Sequence, residues 1–129
     1  MLQWDWNKGE RLIFDINEYR KNFSNINDLI ISPDGEKLAF LIVREDKRVI
    51  PCINGKTWNS FFDRVCYLNF LPNNSLACLV LSNYEWTMAV DEKLLEETFD
   101  YAWNLQISKD ASTIAFNIKK DNSYGVCVN

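Results

Sequence analysis

The side chains that could carry chemistry are four cysteines and several carboxylates, because the sequence contains no histidine. Without an imidazole there is no Ser-His or Cys-His nucleophile, no His-ligated zinc and no histidine ligand for haem iron. The cysteines are spaced by 14, 12 and 49 residues without a C-x-x-C pair, so no zinc or iron–sulfur site is predicted. We expect small buried residues of a reducing compartment at Cys52, Cys66, Cys78 and Cys127.

The carboxylates also have simpler explanations than catalysis. Glu96 and Glu97 lie on a polar segment, which is typical of a solvated face. Asp34 and Asp110 recur at equivalent turns, so turn geometry explains them better than catalysis or calcium binding. With four glycines and no Gly-rich phosphate loop, nucleotide cofactors are not expected either. The sequence predicts a protein that is not an enzyme and holds no cofactor or metal.

Composition narrows the class of protein. The 129 residues are one domain's worth, and 47% apolar with 25% charged residues is ordinary for a globular chain. A net charge of -4 without a basic stripe argues against nucleic acid as a partner. The N-terminus lacks the features of a secretory signal, and no run approaches the roughly 20 apolar residues of a membrane span. We therefore expect a cytoplasmic protein that does not span a membrane.

An internal repeat organises the chain. Apolar strands ending in Asn or Asp finish at Asn17, Asn54, Asp91 and Asn129, which are 37, 37 and 38 residues apart. Two further landmarks keep nearly the same spacing: the alanines of Leu-Ala-Phe-like strands and a phenylalanine that precedes each first strand. These landmarks are Ala39, Ala77 and Ala115, and Phe23, Phe62 and Phe99. A repeated structural unit is therefore predicted.

The units are 18–54, 55–91 and 92–129, preceded by a leftover strand at 11–17. Each unit predicts a hairpin, with turns such as Ser32-Pro33-Asp34-Gly35, followed by a second turn and a closing strand. After the first turn, apolar residues recur at period two on one face, and the small alanines on the other face allow a neighbouring sheet to approach closely. Helix formers occur at 91–98, but the repeat predicts an extended segment there.

A period in the high thirties with three or four strands per unit is the size of a propeller blade. The predicted fold is all-β, with three consecutive β-propeller-like antiparallel blades in a single domain, 1–129. Three blades cannot close a ring by themselves. The chain therefore pairs with another to complete a ring, is a piece of a longer sequence, or forms an open stack. The strand at 11–17 could complete the last sheet in the same chain or in a partner.

The tryptophans are the candidate contact residues. Trp58, Trp86 and Trp103 lie within the repeats, where large rings favour packing between sheets. Trp4 and Trp6 alternate with Asp5, and tryptophan is enriched at the centres of protein interfaces. The residues predicted to bind a partner are Trp4, Trp6, Trp58 and Trp86.

Several segments together resemble a known family. They are Trp4-Asp5-Trp6, Ser32-Pro33-Asp34-Gly35-Glu36-Lys37-Leu38-Ala39, Asn54-Gly55-Lys56-Thr57-Trp58, Phe62-Asp63, Glu85-Trp86-Thr87-Met88-Ala89-Val90-Asp91 and Phe99-Asp100-Tyr101-Ala102-Trp103-Asn104. In this order they resemble TmcD, the tryptophan-rich subunit of the Tmc transmembrane redox complex of sulfate-reducing bacteria. The family looks longer, with further repeats, and Leu94-Leu95 replaces its Trp-containing segment.

The resemblance implies a cofactor-free cytoplasmic subunit, peripheral to the inner membrane through its partners. Those partners would be a multihaem cytochrome, an iron–sulfur protein and a membrane haem-b protein, which would carry the electrons. The function expected is that of a non-catalytic protein-interaction subunit that could also form homo-oligomers. The alternative is a propeller module that binds a small molecule or peptide in a central pocket formed on oligomerisation.

Overall fold

The computed structural model describes residues 15, 17 and 25–129. Trp4, Trp6, Phe23 and most of the predicted strand at 11–17 lie outside these residues. The described part contains eleven strands in three antiparallel sheets, none of them closed. The strands are β1 Asn25–Ile31, β2 Leu38–Val43, β3 Val49–Ile53, β4 Lys56–Thr57, β5 Arg64–Phe70, β6 Leu76–Ser82, β7 Glu85–Val90, β8 Lys93–Leu94, β9 Tyr101–Ile107, β10 Ile114–Lys120 and β11 Ser123–Val128.

The sheets follow the repeat. The first has the order β1-β2-β3-β4, the second β5-β6-β7-β8 and the third β9-β10-β11. Within 91–98 the chain forms the short strand β8 and no helix, which confirms the extended segment expected there. Because β4 and β8 turn back onto β3 and β7, the unit boundaries after Asn54 and Asp91 fall inside two hairpins.

The first turns of the first and third units share one hydrogen-bond pattern. The Ser32 hydroxyl donates to Asp34 at 2.6 Å, and the Ser108 hydroxyl donates to Asp110 at 2.7 Å. Both carboxylates also accept a backbone N–H two residues further on, at 3.0 Å. Hydrogen bonds to the ionised form lower the pKa of both groups, that of Asp110 to about 2. These contacts support turn geometry as the role of both aspartates.

The Asn or Asp that closes the first two units ties the third strand to the start of the second through its side chain. Asn54 Oδ1 accepts the Leu38 N–H at 2.8 Å, and Asp91 Oδ1 accepts the Leu76 N–H at 2.9 Å. Both residues have positive φ, 47° in each case, and begin two-residue hairpin turns. Asparagine and aspartate tolerate this backbone region better than other side chains, which explains why the landmark is one of the two at these positions.

The Phe-Asp pairs connect successive sheets. Phe62 exchanges two backbone hydrogen bonds with Val49 of the first sheet, at 2.8 and 2.9 Å. The next residue, Asp63, donates its N–H to the Leu81 carbonyl of the second sheet at 2.8 Å. Phe99 exchanges two bonds with Trp86, and Asp100 donates to Lys119, in the same way. The phenylalanine landmark therefore marks the crossing from one sheet to the next.

Two apolar clusters hold the three sheets together. The first lies between sheets one and two and includes Ala39, Trp58 and Cys78. The second lies between sheets two and three and includes Ala77, Trp86 and Phe116. A third cluster, on the other face of the first sheet, contains Phe40, Ile42 and Cys52. Ala39 and Ala77 are fully buried, which confirms the close approach of neighbouring sheets predicted there, whereas Ala115 is half-buried because no described sheet packs on its face.

Candidate functional site: the outer face and free edge of the third sheet

The third sheet has one face packed on the second sheet and one face turned to solvent. In β10, Ile114, Phe116 and Ile118 point into the second cluster. The residues between them belong to the opposite face because side chains alternate along a strand. We call that opposite face the outer face; it carries Ala115, Asn117 and Lys119 of β10 together with Tyr101, Trp103, Tyr124, Val126 and Val128.

The outer face carries exposed apolar side chains beside the polar Asn117 and Lys119. Tyr124 is 72% exposed, Val128 63%, Val126 62% and Tyr101 51%, whereas Trp103 is half-buried. Such a group of adjacent aromatic and aliphatic side chains is uncommon on a protein surface unless the surface binds something.

The other two sheets contain positions equivalent to those of the outer face, and their burial can be compared. Tyr124 and Val126 follow Trp86 and Met88 at a spacing of 38 residues. In the second sheet, Trp86 is 7% exposed and Met88 is 3% exposed, because the third sheet packs over them. In the first sheet, Pro51 occupies the position of Met88 and is also fully buried. The outer face is therefore the equivalent of two faces that are covered by a neighbouring sheet.

Ring contacts fix the aromatic side chains of this region. Trp86 and Tyr101 stack with centroids 5.5 Å apart and ring planes 5° apart. Tyr101 meets Trp103 edge to face at 5.4 Å, and Trp103 meets Tyr124 at 6.3 Å. The Lys119 ammonium lies 5.7 Å from the Tyr124 ring centre. Such contacts restrict the rings, so less side-chain entropy is lost when a partner covers them.

One side of β11 also makes no hydrogen bond to any described residue. We call this side the free edge; the other side of β11 pairs with β10. In the first two sheets the corresponding edge is occupied by β4 and β8. The third sheet has no such fourth strand within 25–129.

Trp58 and Trp86, two of the four residues predicted to bind a partner, do not lie on the outer face. Trp58 is 6% exposed in the first cluster and Trp86 7% in the second, so most of each ring contacts the protein itself. This burial matches the packing role expected of tryptophans inside the repeats. Trp4 and Trp6 lie outside the described residues, and partner binding by all four stays a prediction.

The exposed tyrosines and valines of the outer face were missed by sequence reasoning, although the repeat carried a signal for them. The positions of Met88 and Pro51 recur in β11, so they could have been marked as a face needing a cover. Burial could not be assigned from the pattern alone, because an alternating apolar strand reads the same whether its face is covered or open.

The cysteine thiols are deactivated by burial. Cys52 and Cys78 are fully buried, and burial raises their pKa values to about 11 and about 12. Burial also raises the pKa of the half-buried Cys66 and Cys127. All four thiols are free. Within the described residues, no group of three or more Cys, Asp or Glu side chains could hold a metal ion.

A cavity of about 300 Å³ lies between the first two sheets. Its lining includes the polar residues Asn27, Asp28 and Arg64 together with strand residues of β2, β3 and β5. Arg64 makes no ion pair with any described residue. The cavity is large enough for a small molecule, and Arg64 could bind a carboxylate there.

In the part of the chain that the structure describes, no helix is both long and apolar enough to cross a bilayer. No family model, no curated protein and no solved structure matches this chain.

Proposed function

We propose that this chain is a non-catalytic protein-interaction module, built from propeller-like blades, that binds its partner through the outer face. By its resemblance to the Tmc subunit, the module would be an accessory subunit of a membrane-associated electron-transfer complex. Its partners would then be the redox subunits on the cytoplasmic side of that complex.

The observation that carries the proposal is the exposure of Tyr124 and Val126 at positions whose equivalents in the second sheet are buried. Burying apolar surface stabilises a complex by about 25 cal/mol per Å², so binding a partner over this face is favourable. Tyrosine and tryptophan are also enriched in the buried centres of protein interfaces. The rings of Trp103 and Tyr124 are held in place by contacts with neighbouring aromatic side chains, as expected of a preorganised contact surface.

The test is co-elution of the purified chain with purified subunits of such a complex. Val126→Lys places a charge in the centre of the outer face and should abolish co-elution, because a buried unpaired ammonium is costly. Ile31→Lys is the matched control, since Ile31 is an equally exposed strand residue, at 61%, on the first sheet. If both variants co-elute as the unmodified chain does, or if both lose the partner, the outer face is not the binding surface.

The cavity between the first two sheets favours a second candidate function, the binding of a small carboxylate. Arg64 would supply the cation that fixes the ligand. Titration with small carboxylates, followed by the intrinsic tryptophan fluorescence, should show saturable binding that Arg64→Gln removes. Equal binding by the variant would rule out this use of the cavity.

A further inference from the structure

The backbone groups of the free edge belong to the same residues as the exposed side chains. Ile114 and Asn129 exchange two hydrogen bonds, at 2.8 and 3.0 Å. Bonded and non-bonded pairs alternate along an antiparallel ladder, and the β10–β11 register has no shift. The N–H and C=O groups of Tyr124, Val126 and Val128 therefore point away from β10.

The equivalent groups are occupied in the first two sheets. In β3, Val49 exchanges two bonds with Phe62, the Pro51 carbonyl accepts the Trp58 N–H at 2.9 Å, and Ile53 pairs with Lys56. In β7 the same three positions are bonded to Phe99, Leu95 and Lys93.

The two occupying segments share a pattern. Each has the order Lys, one residue, a large apolar residue, three residues and Phe, as Lys56-Thr57-Trp58-Asn59-Ser60-Phe61-Phe62 and Lys93-Leu94-Leu95-Glu96-Glu97-Thr98-Phe99. The apolar residue and the Phe of each segment belong to or pack against the cluster beside them. The structure thus shows twice what kind of segment fits this edge.

The free edge is also the least protected sheet edge among the described residues. β4 and β8 are two residues long and carry a lysine each. The first strands β1, β5 and β9 each contain a bulge, with positive φ at Asp28, Tyr67 and Asn104. β11 has six residues without a charge, a proline or a bulge. Short strands, lysines and bulges are the usual means of preventing edge pairing, and β11 has none of them.

We propose that the free edge accepts an extended segment of a partner polypeptide by antiparallel strand addition. The partner segment has the pattern Lys-x-large apolar-x-x-x-Phe, with the large apolar residue opposite Val126 and the Phe opposite Tyr124. Main-chain hydrogen bonds supply the pairing, and the two apolar side chains pack beside Val126 and Tyr124 on the outer face. This inference rests on the proposed function, because it names the chemistry of the partner that the outer face binds.

The first experiment uses a fluorescently labelled synthetic peptide that copies residues 54–63, Asn-Gly-Lys-Thr-Trp-Asn-Ser-Phe-Phe-Asp. The full chain should bind it saturably, as measured by fluorescence polarisation. A peptide with both Trp58→Ser and Phe62→Ser should bind at least about tenfold more weakly, because the apolar cross-strand contacts with Val126 and Tyr124 are then lost. No binding of the first peptide, or equal binding of both, overturns the proposal.

Two proline variants of the full chain test the pairing register. Tyr124→Pro removes the N–H that corresponds to the Val49 N–H, which donates to Phe62. The peptide should therefore bind about tenfold more weakly. Val126→Pro leaves the carbonyl that the partner uses, as Pro51 does in β3, and should leave affinity within about threefold. Tyr124→Leu keeps the N–H, so the change in peptide affinity that it causes measures the loss of the aromatic ring alone.

Neither proline removes a bond to β10, because both N–H groups point to the free edge. Circular dichroism confirms that each variant is folded. Equal weakening by Tyr124→Pro and Tyr124→Leu, or stronger weakening by Val126→Pro, contradicts the proposed register.

Light scattering of the chain alone tests whether a second copy occupies the free edge. A dimer that Val126→Lys dissociates would place a second copy on the free edge and overturn the proposal. If the peptide does not bind but the redox subunits still co-elute in a Val126-dependent way, strand addition is wrong while the proposed function stands. If the peptide binds and no subunit co-elutes, the edge is confirmed as a strand-binding site and the assignment to a redox complex is wrong.

Discussion

Met88 and Val126 occupy the same repeat position, one under a neighbouring sheet and one on the outer face. Truncating each to alanine therefore compares a covered and an uncovered copy of one site. Met88 is 3% exposed and packs in the second cluster, whereas Val126 is 62% exposed. We expect Met88→Ala to destabilise the protein far more than Val126→Ala.

The magnitudes follow from burial. Truncating a fully buried methionine to alanine costs about 2–5 kcal/mol, from lost apolar burial and from the cavity that remains. Val126→Ala removes side-chain atoms that are mostly in water, so only the strand preference of valine is lost, at most about 1 kcal/mol. In a chain of this length about 1 kcal/mol corresponds to roughly 4 °C in Tm, so Met88→Ala should lower the Tm by about 8 °C or more.

Urea unfolding, followed by tryptophan fluorescence and circular dichroism, measures both free energies. Met88→Leu is the control that keeps the volume and should cost less than about 1.5 kcal/mol. Equal costs for the two alanine variants at low protein concentration would refute the reasoning, because Val126 would then be buried and the outer face would not be open.

Three further predictions use the clusters, the turns and the thiols. Phe116→Ala should lower the free energy of unfolding by about 3–5 kcal/mol, as measured in urea. Phe99 and Phe116 meet edge to face with ring centroids 5.7 Å apart, so a double-mutant cycle with Phe99→Ala should show about 0.5–1.5 kcal/mol of coupling. Strictly additive effects of the two substitutions would contradict this contact. The pKa of Asp110 is lowered from 3.8 to about 2, so its stabilising effect is present above pH 3.8 and lost as the pH falls towards 2. The urea midpoints of the unmodified chain and Asp110→Ala should therefore converge over that range, and a gap of constant size would show that the carboxylate does not stabilise the turn. Iodoacetamide at about pH 8 should modify the half-buried Cys127 before Cys78, because burial raises the pKa of the Cys78 thiol to about 12. If mass spectrometry finds that both thiols are modified at the same rate, Cys78 is not buried.

Local patterns were sufficient to predict the strand content and the three units. Alternating apolar residues and turn residues act over neighbouring positions, so the recurrence of Ala39, Ala77 and Ala115 could be read directly from the chain. The extended character of 91–98 also followed from the repeat against the helix preference of its residues. In that segment pairing with β7 outweighs intrinsic propensity.

The bulges could not be predicted. The first strands contain positive φ at Asp28, Tyr67 and Asn104; two of these residues are of types that tolerate this backbone region, and the third is a tyrosine. A tyrosine in this region is unfavourable on its own, so the neighbouring strand imposes the conformation. Because a tyrosine occupies the position in the second sheet, no single residue type marks it in every copy.

The sequence by itself determined that the chain forms repeated antiparallel sheets, because periodicity and turn chemistry depend on residues close together in the chain. Only the tertiary structure decided which copy of a face is covered. Trp86 and Tyr124 occupy one repeat position, yet one is buried and the other exposed, since burial depends on the presence of a neighbouring sheet. The candidate binding surface exists at the third sheet for that reason, and no local pattern distinguishes it from the two covered faces.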